Sequence, residues 1–408
     1  MMQLTTLENG LCVASRLMPG VETVAVGLYA DAGSRHEEAR VNGVAHLFEH
    51  MVFKGAGGRS SREINEAIED VGGDLNAATD REGTSFTASL LAEHLPLGVE
   101  ILADLVLRPH LAPHDLEREK EVVLQELGEA RDTPSDIIFD ELWSAAYPDQ
   151  PLGRSVLGDE ASIAAIGVDD LHRWRSEQYR AGSLFLVAAG KVDHGALVRL
   201  AERAFEGLPE GPIAPAGPAR FAGGRRAVAA RADQAHLAFA WAAPAIGDGD
   251  HYAARLFADL VGNGASSRLF HEVREERALA YSVWASFLPY RDTGLFYGYA
   301  ATARRQAPAA AALIEAVIAD AAANATQREL DRARAQAKAG LLMSLESSWG
   351  QAAYVARQLS IHGRLVEPAE VVAELERVAL DQVHAAGAKM LAGPRAAASI
   401  GLPAVRAA

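Results

Sequence analysis

Two histidines and a glutamate interrupt an apolar stretch near the start of the chain. Residues 44–53 read VAHLFEHMVF, which places His46, Glu49 and His50 in that stretch. Because residues four apart share one face of a helix, His46 and His50 can direct ring nitrogens to one point. Catalytic zinc sites commonly use two histidines and a carboxylate and leave a fourth position for water. Glu49 borders the same face, where it could take a proton from a metal-bound water without itself binding the metal.

The spacing H-x-x-E-H is the inverted form of the zinc-peptidase motif H-E-x-x-H. The five-residue pattern also fits a pair of hydrogen-bonded core histidines beside a capping glutamate. A third ligand elsewhere in the chain would favour the metal site, which in this residue set suits zinc, although manganese or cobalt also fit.

A later helix offers two acidic candidates for the third ligand. Residues 115–132 read DLEREKEVVLQELGEARD, with an apolar stripe formed by Leu116, Val122, Val123, Leu127 and Ala130. Glu119 and Glu126 fall on this stripe, where a carboxylate needs a partner. A metal would satisfy Glu126, and the N–H of a metal-bound histidine would satisfy Glu119. Pairing with an arginine is the alternative for either residue, and periodicity alone does not decide which of the two is the ligand.

Composition narrows the class of protein. A chain of 408 residues predicts two or more domains. The single cysteine, Cys12, excludes an internal disulfide framework and favours a reducing compartment, so we expect a cytoplasmic protein. A formal charge of −15 argues against a nucleic-acid-binding surface. We expect neither a signal peptide nor a membrane span, because the N-terminus lacks a basic stretch before an apolar core and no apolar run reaches about 18 residues.

The chain contains one architecture twice. Residues 207–224, GLPEGPIAPAGPARFAGG, have a linker composition and separate a first domain, 1–206, from a second, 225–408. The strand–helix segment ETVAVGLYADAG to VAHLFEHMVF has its counterpart in AHLAFAWAAPAIGDGD to AARLFADLVG. Two further strands, a long helix and a final helix–strand segment also recur in the same order. We therefore predict an α+β fold of two homologous domains, each a mainly antiparallel sheet packed with helices.

The repeat serves as an internal control for the motif. Aligned on the shared Leu-Phe, His46 corresponds to Arg255, Glu49 to Ala258 and His50 to Asp259. The apolar frame persists while the polar triplet occurs in the first copy alone, so the fold does not require the triplet.

Motif, spacing and order together resemble the pitrilysin-type zinc peptidases, most closely the branch containing the β-subunit of mitochondrial processing peptidase and its short bacterial relatives. The resemblance rests on HLFEHMVFKG, on Glu126 in EKEVVLQEL, on GGDLNAATDREGTSFTA and on SSRLFHEVREERALAYSV. It implies one zinc ion per chain held by His46, His50 and Glu126, with Glu49 as general base and Glu119 as a supporting acid. It also implies that Arg274 and Tyr281 hold the substrate backbone and stabilise the oxyanion, a role that suits two hydrogen-bond donors. From the residues alone, a solvated arginine and a half-buried strand tyrosine are the alternatives.

The resemblance further implies where a peptide binds. An extended substrate would add as a strand to the edge strand containing Leu75, Asn76, Ala77, Ala78 and Thr79. Asp136 and Asp140, four apart on a helix, match acidic positions that read an arginine near the cleaved bond. An ordinary exposed edge and a solvated acidic face are the alternatives.

Two classes of function follow. The first is a zinc endopeptidase for extended or unfolded, presequence-like segments with a preference for basic sites, working as a homodimer or, alternatively, with a homologous partner chain. The second is a non-catalytic scaffold such as the core proteins of respiratory complexes that share this fold. The intact set of His46, Glu49, His50 and Glu126 favours the peptidase.

Overall fold

The computed structural model describes residues 2–229 and 233–402, and it contains the predicted mixture of helices and mainly antiparallel sheets. Its strands are β1 (Met2–Thr6), β2 (Cys12–Leu17), β3 (Thr23–Ala30), β4 (Gly55–Ala56), β5 (Arg59–Ser60), β6 (Asp74–Thr79), β7 (Thr84–Leu91), β8 (Leu184–Gly190), β9 (Gly224–Val228), β10 (Ala235–Ala243), β11 (Ala280–Pro289), β12 (Gly294–Thr302) and β13 (Arg395–Ile400). Its α-helices are α1 (Val44–Val52), α2 (Ser61–Glu69), α3 (Leu95–Leu107), α4 (Pro113–Asp132), α5 (Pro134–Ala146), α6 (Glu160–Ala165), α7 (Val168–Gln178), α8 (His194–Ala204), α9 (His251–Gly262), α10 (Ala307–Asn324), α11 (Gln327–Ser344), α12 (Ser348–His362), α13 (Pro368–Arg377) and α14 (Leu380–Leu391).

Two sheets with matching topology confirm the α+β prediction. The first has the strand order β1-β2-β8-β3-β7-β6 and the second β11-β12-β10-β13-β9. In each sheet one neighbouring pair is parallel, β2 with β8 and β13 with β9, and the other pairs are antiparallel. The edge strand β6 of the first sheet thus corresponds to the edge strand β11 of the second.

The chain divides into two compact units that are discontinuous in sequence. The first comprises the described residues up to Leu127 together with Ser155–Gly217 and Leu342–Val366. The second comprises Gly128–Arg154, Pro218–Leu341 and the described residues from Glu367 onward. Residues 205–223 form neither helix nor strand, and β9 begins at Gly224. The boundaries of the compact units therefore differ from those of the sequence halves 1–206 and 225–408, which describe the duplication only.

Each unit uses a helix from the opposite half of the sequence to cover one face of its sheet. Helix α5 precedes the linker, yet its apolar side packs on β10 and β13 of the second sheet. Helix α12 comes late in the second half, yet it packs on β2, β3 and β8 of the first sheet. Strand β8 is buried along its whole length because helices cover both faces of that sheet. A division by sequence similarity cannot show this exchange.

One helical segment does not fit the expectation that no part of the chain could cross a membrane. Arg304–Asn324 is long enough to cross a membrane, and it is apolar enough because alanine dominates its composition. Core helices of folded domains pass the same test, and Ile314, Val317 and Ile318 of this segment lie in the core of the second unit.

The Trp143–Tyr290 hydrogen bond gives a test of the unit assignment. Trp143 on α5 donates its indole N–H to Tyr290 Oη at 2.7 Å, and both side chains are buried. We expect Tyr290→Phe to cost about 1–3 kcal/mol of the second unit's stability, because the indole N–H loses its acceptor. In native-state hydrogen exchange, amides of α5 should lose protection together with those of β10 and β13.

The matched control is Tyr354→Phe, which removes a hydrogen bond to the Val366 carbonyl in the first unit. It should lower the protection of α12 instead. Protection of α5 that followed β3 would contradict the assignment.

Candidate metal centre

The helix that carries the motif begins at a glycine turn and is fixed by a buried acid. Gly43 precedes α1 with φ of 94°, a conformation that favours glycine. The Glu37 carboxylate is buried and accepts from the backbone N–H of Gly43 at 2.8 Å, the backbone N–H of Ala45 at 2.9 Å and the Asn42 side chain at 2.6 Å. An acid at this end satisfies unpaired helix N–H groups and complements the helix dipole. Sequence reasoning missed Glu37, although an acid a few residues before a helix is a readable signal.

Burial then separates the two faces of α1. Leu47, Phe48 and Met51 are fully buried, while His46, Glu49 and His50 are partly exposed on the opposite face. The apolar face holds the helix against the core of the first unit. The polar stripe therefore points where a ligand can reach it.

The structure brings His46, His50 and Glu126 together. Glu126 Oε2 lies 3.8 Å from His46 Nε2, and Glu126 Oε1 lies 3.7 Å from His50 Nε2. One possible ligand atom from each of the three residues lies within 4.8 Å of the other two. Ligand atoms around one tetrahedral zinc ion are separated by roughly 3.3–3.6 Å, given metal–ligand distances near 2.0–2.2 Å. This donor set of two imidazoles and one carboxylate therefore fits a zinc ion after small side-chain adjustments.

Glu119 occupies a different position, behind His50. Its side chain is 8% exposed; Oε2 lies 3.2 Å from His50 Nδ1 and Oε1 lies 2.7 Å from Lys54 Nζ. The side of the imidazole away from Glu126 thus faces a carboxylate, as is usual for metal-binding histidines. Lys54 lies in the HLFEHMVFKG segment, but its contact with Glu119 could not be read from spacing. The alternative, an arginine partner, does not apply to Glu119, because Glu119 forms its ion pair with Lys54.

The stripe on α4 is narrower than the sequence suggests. Leu116, Glu119, Val123 and Leu127 are buried as expected. Val122, which we placed on the stripe, is 40% exposed. A helix turns by 100° per residue, so Val122 cannot share the face of its neighbour Val123.

Glu49 lies beside the histidines, and it forms a hydrogen bond with Thr79 and not with Glu126. Its Oε2 accepts from Thr79 Oγ1 at 2.5 Å. Burial raises the pKa of the Glu49 carboxyl, and the Thr79 hydrogen bond and the neighbouring His50 oppose this rise. A carboxyl with a raised pKa is suited to exchanging a proton near neutral pH.

Burial has the opposite effect on His46. It lowers the pKa of the imidazole to about 4, and the neighbouring His50 adds to this effect. His46 is therefore a neutral imidazole at neutral pH, which is the form that binds a metal.

The second unit shows what the same frame contains without a metal. Arg255 and Asp259, which correspond to His46 and His50, form an ion pair with Nε and Oδ2 2.9 Å apart. With Leu116 and Leu330 aligned, Glu119 and Glu126 correspond to Ala333 and Gly340. In the second copy the residues at the two histidine positions thus pair with each other. The positions of Glu119 and Glu126 carry no acid there.

The predicted substrate strand is the edge strand β6. Its residues Asp74–Thr79 alternate between exposed and half-buried, and β6 pairs only with β7 among the described strands. The main chain of residues 75–79 therefore lies at an open edge. Asp136 and Asp140 both lie on α5 in the second unit, Asp136 exposed and Asp140 half-buried.

Arg274 and Tyr281 meet in an irregular part of the second unit. Arg274 lies in a π-helical segment, Phe270–Glu276, and Ala278 has a left-handed φ of 49°. Tyr281 sits at the register shift between Ala280 and Ser282 and is 73% exposed. The Arg274 guanidinium carbon lies 4.5 Å from the ring centres of both Phe270 and Tyr281. π-Turns and bulges that re-aim a side chain are frequent at functional sites.

Comparison with known proteins identifies the family. The model "Insulinase (Peptidase family M16)" matches residues 12–160, and "Peptidase M16 inactive domain" matches residues 165–337. The chain belongs to peptidase family M16. It is 31% identical to an uncharacterized zinc protease of Rickettsia felis, over 98% of this chain and 97% of that protein. It is 33% identical to the mitochondrial-processing peptidase subunit beta of Lentinula edodes, over 95% of this chain and 87% of that protein.

Two solved structures share the fold. A peptidase M16 inactive domain from Pseudomonas fluorescens superposes with a TM-score of 0.91 at 23% identity, covering 100% of both chains. A protease from Helicobacter pylori gives a TM-score of 0.91 at 22% identity, over 98% of this chain and 99% of that chain. The resemblance to M16 zinc proteases is confirmed. The absence of the motif from the second half agrees with the name of the M16 domain model that matches there.

A zinc-binding measurement should distinguish the two glutamates of α4. We expect Glu119→Gln to weaken zinc binding by roughly 10–100-fold, because it loosens the support of His50. Glu126→Gln should weaken it further, because an amide replaces a carboxylate between the two Nε2 atoms. Competition with a chromophoric chelator measures both effects, and exposed Glu121→Gln on the same helix is the control. Equal zinc affinity for Glu126→Gln and Glu121→Gln would contradict the assignment.

The low pKa of His46 predicts how the metal-free protein responds to acid. Above pH 6.5 the residue is neutral in both states, and between pH 6.5 and about 4 the unfolded chain alone binds the proton. Stability should therefore fall over this range, by roughly 3 kcal/mol in total. Denaturant unfolding of metal-free protein measures this fall. His46→Gln should lose that part of the pH dependence, and an unchanged pH profile in this variant would contradict the prediction.

Proposed function

We propose that this M16 protein is a zinc-dependent endopeptidase that hydrolyses extended peptides and unfolded, presequence-like segments. The observation that carries the proposal is the convergence of His46 Nε2 and His50 Nε2 on the Glu126 carboxylate, with Glu49 beside them. One zinc ion per chain would be held by His46, His50 and Glu126. The scaffold alternative has no use for this set of residues.

Zinc supplies, when bound, a water molecule acidic enough to lose a proton near neutral pH, together with polarisation of the scissile carbonyl. Glu49 receives the proton at Oε1, because the Thr79 hydrogen bond to Oε2 makes that oxygen the less basic of the two. Oε1 then delivers this proton to the leaving amine as the C–N bond breaks, so Glu49 acts first as a general base and then as a general acid. Glu119 and Lys54 keep His50 in the orientation in which Nε2 faces Glu126.

The substrate would bind as an added strand on β6. Main-chain hydrogen bonds to residues 75–79 would supply affinity without regard to sequence, and side-chain contacts would supply selectivity. Asp136 and Asp140 on α5 are the residues that we propose for reading an arginine near the cleaved bond. Their spacing of four residues on one helix supports a shared contact with a guanidinium.

Arg274 and Tyr281 are proposed to donate hydrogen bonds to the substrate backbone and the developing oxyanion. The contact of the guanidinium with the rings of Phe270 and Tyr281 supports this role, because it limits the movement of the donors before a substrate arrives. We further propose a cytoplasmic homodimer. A heterodimer with a homologous chain is the alternative, and the similarity to a mitochondrial-processing peptidase subunit beta supports considering it.

Cleavage of a quenched-fluorescent peptide with internal arginines tests the proposal on the purified chain. We expect cleavage that a chelator abolishes and that added zinc restores. Glu49→Gln should lower kcat by a factor on the order of 10²–10⁴, since it removes the proton acceptor and leaves the zinc ligands in place. Light scattering on the same sample gives the oligomeric state.

Zinc content of Glu49→Gln is the control, and it should equal that of the wild type. Cleavage that persisted in the zinc-loaded Glu49→Gln variant would refute the mechanism. No cleavage with one zinc per chain would indicate a required partner chain, and neither cleavage nor zinc would support the scaffold.

A further inference from the structure

We propose that Thr79 is a positioning residue that orients the Glu49 carboxylate, an inference that rests on the proposed peptidase function. The sequence predicts only a main-chain role for Thr79, as part of the strand to which a peptide would add. The structure gives its side chain a separate partner, Glu49 Oε2, at 2.5 Å.

The contact has the character of a strong hydrogen bond. Hydroxyl groups donate to carboxylates over about 2.5–2.7 Å, and such charge-assisted bonds are roughly twice as strong as neutral ones. Glu49 and Thr79 are both partly buried, so water competes weakly for the carboxylate oxygen. The hydrogen bond stabilises negative charge on Oε2, so Oε1 is the more basic oxygen of the carboxylate and the one that we assign to receive a proton.

The position of the hydroxyl is itself determined by the sheet. Thr79 is the last residue of β6 and pairs with Thr84 of β7. The buried Thr84 hydroxyl donates to the Ala32 carbonyl at 2.9 Å, so its proton is not directed to Thr79 Oγ1, 3.4 Å away. Threonine is branched at Cβ and has few side-chain rotamers in a strand. The backbone of β6 therefore sets where the Glu49 carboxylate lies.

The strand proposed to bind the peptide thus also holds the proposed base. Residues 75–79 would fix the substrate through the main chain, and Thr79 would fix Glu49 through the side chain. Both reacting partners are then positioned by one six-residue strand. Alignment of this kind matters because a displacement of about 1 Å can cost 10²-fold in rate.

Three hydroxyl variants of the zinc-loaded chain test the role. Thr79→Val removes the hydroxyl at nearly constant shape, Thr79→Ser retains it, and Thr87→Val is the matched control. Thr87 is buried on the same hairpin, and its hydroxyl donates to the Asn76 carbonyl at 3.2 Å without contacting Glu49. With the quenched-fluorescent arginine peptide, Thr79→Val should lower kcat by about 10–100-fold and leave KM within about twofold. Thr79→Ser should keep the kcat of the Thr87→Val control, and zinc content should be equal in all variants.

A binding measurement separates positioning of the base from docking of the peptide. In the Glu49→Gln background, fluorescence anisotropy gives the Kd of the same peptide without turnover. Adding Thr79→Val should leave this Kd unchanged, because the side chain serves Glu49 and not the peptide.

Each result decides the proposal. A wild-type chain that cleaves the peptide while Thr79→Val cleaves it equally well overturns the role of Thr79 and leaves the peptidase function standing. A larger Kd in the double variant, or loss of zinc from Thr79→Val, also overturns the role of Thr79. The residue would then contribute to peptide binding or to the metal site. A wild-type chain without chelator-sensitive cleavage overturns the proposed function, and the role of Thr79 with it.

Discussion

The candidate metal centre of the first unit gathers more carboxylates than cations among the described residues. Glu49, Glu119 and Glu126 lie around two imidazoles, and Lys54 forms an ion pair with Glu119. In their ionised forms the three carboxylates and the ammonium group carry a net charge of −2, which a single divalent cation would balance. Carboxylates held this close together repel one another, so the surrounding structure must hold them in place.

Separate parts of the fold provide that support. Glu37 and Gly43 fix the start of α1, and the apolar face of α1 fixes its rotation, so both histidines project to one side. The long helix α4 brings Glu119 and Glu126 to two different sides of His50. The hairpin of β6 and β7 supplies the Thr79 hydroxyl to Glu49. Each side chain that could serve the metal is thus attached to a regular element, which suits a site that must hold its geometry.

Much of this arrangement could be predicted from the sequence because it depends on local periodicity. The spacing of His46 and His50 placed them on one helix face, and the duplication predicted two sheets of the same kind. The choice between Glu119 and Glu126 could not be made, since both lie on one stripe and only their approach to opposite sides of an imidazole distinguishes them. Lys54 and Thr79 were hidden for a similar reason: each acts through a contact between elements far apart in sequence. Ala278 and the bulge at Tyr281 depend on backbone geometry that no composition rule reveals.

The exchange of α5 and α12 between the sequence halves bears on how such a duplicated chain can change in evolution. A gene split at the linker would produce two fragments, each with a sheet bare on one face and a surplus apolar helix. Neither fragment would be a self-sufficient domain, even though each contains a full copy of the repeat. The two copies differ in their polar residues, because the first carries the candidate metal ligands and the second carries an ion pair at the corresponding helix positions. Each copy nevertheless needs a helix from the other copy to cover its sheet.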